Sequence, residues 1–508
     1  MFSKIQSIGL FGMNAFGVDV EVEISRGMER FDIVGLADVS VKESRERIKS
    51  AFRSAGIKFP IASVVVNLAP ADVRKSGSAN DLPIAIAVMS AAMLIPEDST
   101  QNSCFIGELS LGGDIRPISG VLPMTIFAKN AGIERIYVPY DNAYEASVVD
   151  GIQVYGVKTL KELKSCLCGE LTICATEKYR PAECDFEDLL DFADVKGQQF
   201  AKKALEVAAC GGHNVLMIGS PGSGKSMLAK RLPSILPKMS FEESIQTTNI
   251  YSIAGQIDKN SPLVTKRPFR SPHHTISSAG LVGGGSIPRP GEISLAHNGL
   301  LFLDELAEFD RTTLEILRQP IEDCKVTISR ASGTVTYPCS IMLVGAMNPC
   351  PCGYYGHIKK KCVCSKAQVS KYLSRISGPL MDRFDLHIEV APVEYSSISS
   401  VQKEEPSSAI RERVQRAREI QNKRYKGTEI TCNARLTSNL LHEVCPMTSS
   451  ADDLLREVFD KLGLSARAYD KILKVARTVA DMDGSEVIDR NHVARAVKYR
   501  SLDRKYNH

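Results

Sequence analysis

The feature that most constrains the fold is a glycine-rich octapeptide that follows a short apolar run. The run spans 215–218 (VLMI), and the octapeptide is Gly219, Ser220, Pro221, Gly222, Ser223, Gly224, Lys225 and Ser226. It fits G-x-x-x-x-G-K-[ST], the pattern of a buried strand, a phosphate-binding loop and a helix. Backbone N–H groups of such a loop point at phosphates, Lys225 reaches the β- and γ-phosphates, and the Ser226 hydroxyl holds Mg²⁺. The sequence therefore predicts a nucleotide site here.

A second motif follows further along the chain, where the apolar run 300–303 (LLFL) ends in Asp304 and Glu305. Asp304 is expected to hold the metal, and Glu305 to orient and deprotonate the attacking water. A strand could also end in two acidic residues by chance. The presence of both motifs in this order favours ATP binding and hydrolysis.

Length and charge limit the other possibilities. A chain of 508 residues predicts about three domains. With 63 basic and 59 acidic residues the net charge is only +4, so a nucleic-acid surface would have to be local. The N-terminus lacks the apolar segment of a signal peptide, and the longest apolar stretch, 82–96, is too short to cross a bilayer. We therefore expect a cytoplasmic protein without membrane contact, with its 14 cysteines reduced.

Hydrophobic periodicity divides the chain into an α/β part and a helical part. Strands are predicted at 18–24, 63–68, 107–111 and 134–138, with helices at 39–55, from 82, and around 124–131. Residues 166–191 are expected to be a linker, and a helix ending at Gly211 leads into the phosphate-loop strand. The remainder is predicted to be helical, with an apolar stripe formed by Ile410, Val414, Ala417 and Ile420. Ser465 and Asp489 are predicted to cap the last two helices.

The order of these motifs resembles the YifB/ComM family of magnesium-chelatase-like AAA+ ATPases. The resemblance covers the whole chain and rests on the strings at 267–275 (RPFRSPHHT), 290–297 (PGEISLAH), 345–353 (GAMNPCPCG) and 377–385 (SGPLMDRFD). It implies an α/β fold of three domains joined by the linker 166–191. They are a Lon-protease-like N-terminal domain (ribosomal S5 domain 2-like, 1–165), a central AAA+ P-loop NTPase domain (192–395) and a C-terminal helical lid (396–508).

The same resemblance assigns three further catalytic residues. Asn348 resembles sensor 1, Arg383 an arginine finger that reaches a neighbouring subunit, and Arg467 sensor 2. Arg375 is the alternative finger. Alternatives remain open for each: Asn348 could simply mark an Asn-Pro turn, and Arg383 could be a helix-end arginine paired to a nearby aspartate. Arg467 could be a solvated arginine. A finger that acts on a neighbouring subunit implies a ring, and the family implies a homo-hexamer.

Period-two alternation at 325–329 and 333–337 predicts a β-hairpin. In related helicases a hairpin here, and an insert before the second motif, point into the pore of the ring. Lys325 and Arg330 could then contact a DNA backbone; the alternative is a surface hairpin with solvated cations. Arg289 and the loop 283–286 present the same two possibilities. The pair His273 and His274 could be phosphate or metal contacts, or buried structural histidines.

Four cysteines, Cys350, Cys352, Cys362 and Cys364, form a C-x-C…C-x-C pattern. Four thiolates suit tetrahedral zinc, although the one-residue gaps are shorter than the usual two to four. The alternative is a reduced, cysteine-rich loop.

The N-terminal domain resembles the Lon-type peptidase fold without its catalytic pair. The segment 75–79 (KSGSA) lies near the place of that family's nucleophile serine, but Leu122 stands where its lysine belongs, and leucine cannot activate a hydroxyl. Lys75 is expected to be a charged turn residue. We therefore expect no peptidase activity, and a role in assembly or DNA binding.

The leading functional hypothesis is an ATP-driven hexameric ring motor acting on DNA, a helicase or branch-migration enzyme in recombination or natural transformation. Its cofactors would be ATP and Mg²⁺, with Zn²⁺ at the cysteines. The main alternative is a protein-remodelling ATPase resembling the magnesium-chelatase ATPase subunit, with a protein partner. A third possibility is a scaffold whose ATPase controls ring assembly.

Overall fold

The structure is a computed structural model. It describes residues 1–35, 39–71, 73, 75, 77–180, 186, 189–285, 288–330, 333–357, 360–392 and 404–500. Ser76 and the end of the predicted central domain, 393–395, lie outside the described residues. No helix in the described part is long and apolar enough to span a bilayer.

The N-terminal unit is built on a seven-stranded mixed sheet of order β3-β4-β2-β1-β5-β8-β9. Its longest strands, β1 and β2, form an antiparallel hairpin in which Phe2 pairs with Glu23 and Phe11 with Asn14. The elements are β1 (Phe2–Phe11), β2 (Asn14–Ser25), β3 (Arg30–Val34), α1 (Val39–Ser54), β4 (Ser63–Ala69), α2 (Asp81–Ala91), β5 (Ser103–Phe105), β6 (Glu108–Leu109), β7 (Ile115–Arg116), α3 (Val121–Asn130), β8 (Arg135–Pro139), α4 (Ala143–Ala146), β9 (Gln153–Val157) and α5 (Leu160–Leu167).

The strands and helices expected in this unit are present, although the strand predicted at 107–111 shrinks to the two residues of β6. Several further elements were not predicted: β1, β3, β5, β7, β9, α4 and α5. The expectation for Lys75 was wrong: its side chain is buried, and its ammonium group donates to the carbonyl of Pro70. Leu122 is fully buried in α3, where its backbone N–H donates to the carboxylate of Glu145 at 3.1 Å.

The central unit contains a five-stranded parallel sheet of order β11-β14-β17-β10-β18. Since all five strands are parallel, their carboxyl ends meet at one edge of the sheet, where open α/β sheets bind ligands. The elements are α6 (Gln199–Gly211), β10 (Val215–Ile218), α7 (Lys225–Arg231), α8 (Phe241–Ala254), β11 (Phe269–Arg270), α9 (Ser278–Val282), β12 (Gly283–Gly284), β13 (Arg289–Pro290), α10 (Glu292–Leu295), β14 (Leu300–Leu303), α11 (Arg311–Ile316), α12 (Arg318–Asp323), β15 (Lys325–Arg330), β16 (Gly333–Pro338), β17 (Met342–Met347), α13 (Lys366–Leu373), α14 (Gly378–Met381) and β18 (Leu386–Glu389).

The C-terminal unit is helical and packs on the central sheet through α6. Both predicted caps are confirmed: Ser465 accepts a bond from the N–H of Ala468, and Asp489 from that of His492. The apolar stripe is only partly right, because Ile420 is 36% exposed and Gln421 is buried in its place. The helices are α15 (Ser407–Arg424), α16 (Ser438–Val444), α17 (Ser449–Leu462), α18 (Ala466–Met482) and α19 (Arg490–Lys498).

The turn of the β1–β2 hairpin packs directly on the hairpin β15–β16 of the central unit. A Cβ atom built on Gly333 would lie 2.7 Å from the ring of Phe11, and one on Gly12 would lie 2.1 Å from Val335. Phe11 and Met13 join the apolar cluster that holds the buried residues of the β15–β16 hairpin. The N-terminal unit therefore packs against and supports the β15–β16 hairpin, which carries the residues predicted to contact DNA.

Candidate nucleotide site

The phosphate loop connects β10 to α7 at the carboxyl edge of the parallel sheet. Gly222 and Gly224 have φ values of +74° and +93°, which a residue with a side chain rarely adopts. Gly219 is packed closely, since a Cβ there would lie 2.4 Å from the carbonyl oxygen of Val390. These glycines let the backbone turn sharply from the strand into the helix, as the motif predicts.

Lys225 lies in the first turn of α7 and folds back over the loop. Its ammonium group donates to the carbonyls of Gly219 at 2.8 Å and Ser220 at 3.0 Å, and to Oδ1 of Asn348 at 3.2 Å. Burial lowers the pKa of Lys225, while the charges of Asp304 and Glu305 oppose that shift. The hydrogen-bond partners of Lys225 are neutral carbonyl oxygens, which leaves its amine available to a phosphate.

The two motifs meet through a hydrogen bond in which the Ser226 hydroxyl donates to Oδ2 of Asp304 at 2.6 Å. A hydroxyl and a carboxylate at this separation are suitable Mg²⁺ ligands. The buried Ser223 hydroxyl in the loop has no hydrogen-bond partner among the described residues. Because a buried hydroxyl is costly to leave unpaired, this atom is suited to a phosphate oxygen. The residues present therefore fit a Mg²⁺-nucleotide.

Glu305 projects from the end of β14 with its side chain 60% exposed. Its φ of +51° is left-handed, a conformation that costs energy in a non-glycine residue and is concentrated at functional sites. Oε2 lies 3.5 Å from Nδ1 of His274, whose ring contacts that of His273 at a centroid distance of 4.1 Å. The alternative of buried structural histidines is wrong, since His273 is exposed and His274 is partly exposed.

The three predicted arginines lie in different environments. Arg383 is 9% exposed and pairs with Glu322 of α12, while its buried Nε has no hydrogen-bond partner among the described residues. Arg375 is half exposed and pairs with Glu308 at 2.8 Å, directly after the second motif. Arg467 is exposed in the first turn of α18.

The four predicted cysteines converge, with all four Sγ atoms within 4.8 Å of one another. Sγ of Cys350 lies 3.4 Å from that of Cys352 and 3.7 Å from that of Cys362, and Cys352 lies 3.6 Å from Cys362. A tetrahedral site with Zn–S bonds of ~2.3 Å has S–S edges of about 3.8 Å. The thiol group distances are therefore compatible with zinc.

The cysteine segment also contacts the phosphate loop. A Cβ atom built on Gly353 would lie 2.3 Å from Cδ of Pro221, so the Gly353 backbone rests against that proline ring. A place for the cysteine segment beside the nucleotide was expected, but its contact with Pro221 and the approach of His274 to Glu305 were not. The only signal in the sequence is the position of each segment directly after a strand of the central sheet.

The predicted DNA residues Lys325 and Arg330 do not form one patch. They stand at opposite ends of β15, which separates their Cα atoms by about 17 Å. The Arg330 guanidinium instead lies over Gly284, with Nη2 3.3 Å from the position of a Cβ there. Gly284 pairs with Arg289 in the neighbouring β12–β13 hairpin. Arg289 and Arg330, both exposed, are thus brought to the tips of two adjacent hairpins.

Comparison with known proteins gives matches along the chain. The family described as magnesium chelatase subunit ChlI matches residues 191–398, that described as subunit ChlI of Mg-chelatase matches 20–142, and the subunit ChlI C-terminal family matches 404–500. Competence protein ComM of Haemophilus influenzae is 42% identical over 98% of this chain and 97% of its own. Protein YifB of Escherichia coli is 41% identical over 100% of this chain and 98% of its own.

A more distant match concerns Lon protease 2 of Bacillus subtilis, which is 26% identical over 31% of this chain and 32% of its own. It gives weak support to the Lon-like relationship expected of the N-terminal unit. The full-length identities, the matched families and the joined nucleotide-binding motifs together establish the family. The chain belongs to the YifB/ComM family of magnesium-chelatase-like AAA+ ATPases.

Proposed function

We propose that this protein hydrolyses ATP as a homo-hexameric ring motor that acts on DNA. The observation that carries the ATPase part is the joining of both motifs at one edge of the sheet. Lys225 reaches Asn348 at 3.2 Å and Ser226 reaches Asp304 at 2.6 Å, beside an exposed Glu305. Loop, metal ligands, water-activating carboxylate and sensor are then within one site.

Each residue has a distinct task in this reaction. Lys225 neutralises charge on the β- and γ-phosphates, and Asn348, its hydrogen-bond partner, positions the attacking water. Ser226 and Asp304 would hold Mg²⁺, which supplies positive charge next to the phosphates when bound. Glu305 accepts a proton from the water as the new P–O bond forms and the bond to the ADP oxygen breaks.

The finger and the second sensor belong to the proposed ring. Arg383 would have to leave Glu322 to reach a neighbouring nucleotide, whereas Arg375 already lies half exposed. Arg467 is exposed at the start of α18 and is proposed to meet the γ-phosphate. The boundaries of the three domains, the cytoplasmic location and the lack of peptidase activity are part of the same proposal.

The DNA part rests on Arg330 and Arg289 and on one relative. Two exposed guanidinium groups at adjoining hairpin tips suit a phosphate backbone, which proteins bind by charge and without regard to sequence. The Haemophilus influenzae relative is named a competence protein. Lys325 lies at the far end of its strand and would contact a different stretch of DNA.

The test is steady-state ATP hydrolysis with single-stranded, duplex and branched DNA over a salt series. We expect DNA to stimulate hydrolysis and salt to weaken the stimulation. Arg330→Ala should reduce it more than Lys325→Ala, which removes one positive charge from the same hairpin. Hydrolysis that no DNA changes would refute the DNA part and leave the ATPase.

A second candidate is a protein-remodelling ATPase that acts on a protein partner. It is favoured by the match of magnesium-chelatase subunit families to three stretches of this chain. In that case a purified partner, and no DNA, would stimulate hydrolysis. Both candidates use the same nucleotide site, so Lys225→Ala should abolish hydrolysis in either.

Zinc at the four cysteines completes the proposal. Cys350, Cys352, Cys362 and Cys364 would hold one ion, and the packing of Gly353 on Pro221 would then connect a rigid insertion to the phosphate loop. Elemental analysis of the purified protein, with a Cys362→Ser variant as comparison, tests this. One zinc per chain that is lost in the variant is expected, and a zinc-free native protein would contradict it.

A further inference from the structure

A large cleft lies on the side of the central sheet opposite the nucleotide site. Its volume is about 780 Å³, and its walls include Gly299 and Met342, at the amino ends of β14 and β17, and Arg418 of α15. Since the phosphate loop is at the carboxyl edge of this parallel sheet, the cleft is separate from it. We call this space, between the sheet and the first C-terminal helix, the lid cleft.

The charged residues that line the lid cleft are mostly basic. They are Lys238, Arg267, Arg418, Lys426 and Arg435, against Glu242 and Glu243. Five cations against two carboxylates leave an excess of three positive charges, in a chain whose total net charge is +4. Positive charge is therefore concentrated in the lid cleft, which favours an anionic ligand.

The hydrogen bonds of the arginines show which charges are already balanced. Arg267 is paired with Glu243, Nη2 to Oε2 at 2.9 Å, and forms part of the wall. Arg435 donates to the carbonyls of Ile321 at 3.0 Å and Ile341 at 3.1 Å, and Arg418 to that of Ala209 at 3.3 Å. Carbonyl oxygens orient a guanidinium group without neutralising it, so Arg418 and Arg435 keep their full charge.

Two neighbouring groups respond to this environment. Burial raises the pKa of the Cys432 thiol, but the charges of Arg418 and Arg435 outweigh it and lower that pKa below its usual value. Burial lowers the pKa of His297 to about 4, so its ring is neutral. Nδ1 of His297 accepts from the N–H of Ser340 at 3.0 Å, and Nε2 faces Oε1 of Gln246 at 3.5 Å in the cleft wall.

We propose that the lid cleft binds a small phosphorylated anion of nucleotide size. Guanidinium groups match phosphate oxygens in charge and geometry, and the volume lies within the range of ligand pockets, ~300–1,000 Å³. One wall belongs to the ATPase core and the other to the C-terminal helices. A ligand that bridges them favours one arrangement of the two and so acts on ATP turnover from outside the phosphate loop.

The experiment uses full-length protein carrying Lys225→Ala, which removes nucleotide binding at the phosphate loop. Binding of inorganic pyrophosphate and of ATP is followed by calorimetry and by the shift in Tm, at constant ionic strength. We expect saturable binding of one ligand per chain. Adding Lys238→Glu and Lys426→Glu should weaken it at least tenfold, and both side chains are exposed, so folding is preserved.

The matched control adds Lys129→Glu and Lys423→Glu, which make the same change of charge outside the lid cleft and should leave binding unchanged. Two results would overturn the proposal. One is no binding of pyrophosphate or ATP to the Lys225→Ala protein, whether or not a short oligonucleotide binds. The other is equal weakening in cleft and control variants. Neither of these depends on ATP hydrolysis or on DNA stimulation.

Discussion

Replacing Gly353 by alanine tests whether the cysteine segment sets the position of the phosphate loop. Gly353 has a φ of +80°, so alanine costs about 1–2 kcal/mol in backbone strain alone. The new Cβ would also lie 2.3 Å from Cδ of Pro221, and overpacking of this kind costs about 1–3 kcal/mol. If the phosphate loop moves to relieve the overlap, the free energy of ATP binding weakens by the cost of overpacking. The KM for ATP should then rise roughly 5- to 150-fold.

The control is Gly463→Ala, since Gly463 has a φ of +59° and open space where its Cβ would stand. Both variants should lose similar stability from backbone strain in thermal unfolding, but only Gly353→Ala should raise the KM in a steady-state ATPase assay. An unchanged KM in Gly353→Ala, with a loss of Tm equal to that of Gly463→Ala, would show that the segment does not position the loop.

Three further predictions concern Glu305, the four-cysteine cluster and the contact of Phe11 with the β15–β16 hairpin. Glu305→Gln should bind ATP normally and hydrolyse it at least ~100-fold more slowly, because it cannot accept the proton of the water; normal turnover would remove Glu305 from this role. Treatment with a zinc-selective chelator in excess Mg²⁺ should raise the KM for ATP in the native protein; an unchanged KM would separate the cluster from the nucleotide site. Phe11→Ala should reduce stimulation by DNA while basal hydrolysis persists, with the exposed Phe2→Ala as control; equal stimulation in both would contradict a positioning role.

The parts of the site that sequence predicts best are those in which local pattern and chemistry coincide. The loop at 219–226 needs glycines for its backbone and a lysine for phosphate, and the pair Asp304-Glu305 follows a buried strand. The hairpin at 325–338 is visible as period-two alternation at 325–329 and 333–337. Each of these signals lies within ten or so residues, so no knowledge of distant neighbours is required.

The features that sequence did not predict depend on contacts between distant segments. Strand β1 was missed although it is ten residues long, because its alternation fails at the buried Ser7 and Ile8. Lys75 reads as a turn residue, yet tertiary packing buries it. The separation of Lys325 from Arg330 follows from strand geometry, but the approach of Arg330 to Gly284 joins two hairpins 46 residues apart in the chain, which no local pattern reports.

The segment that carries Arg383 is held from two sides, which bears on how the proposed ring could use ATP. Lys471 of α18 donates to the carbonyl of Phe384 at 3.0 Å and faces Asp385 at 3.6 Å. Asp385 in turn accepts from the N–H of Asn214, directly before the phosphate-loop strand, at 3.0 Å. Burial alone would raise the pKa of Asp385, but the charge of Lys471, the His213 side chain and the hydrogen bond from Asn214 hold it well below its usual range.

Asp385 therefore stays ionised and keeps both contacts at neutral pH. Its contribution to stability is present above the pKa of an unfolded aspartate, ~3.9, and is lost only as the pH falls below that value. A movement of α18 on nucleotide binding would pull the Arg383 segment with it through Lys471. In a ring, this contact gives the C-terminal helices of one subunit a direct connection to the arginine proposed to act on the next nucleotide.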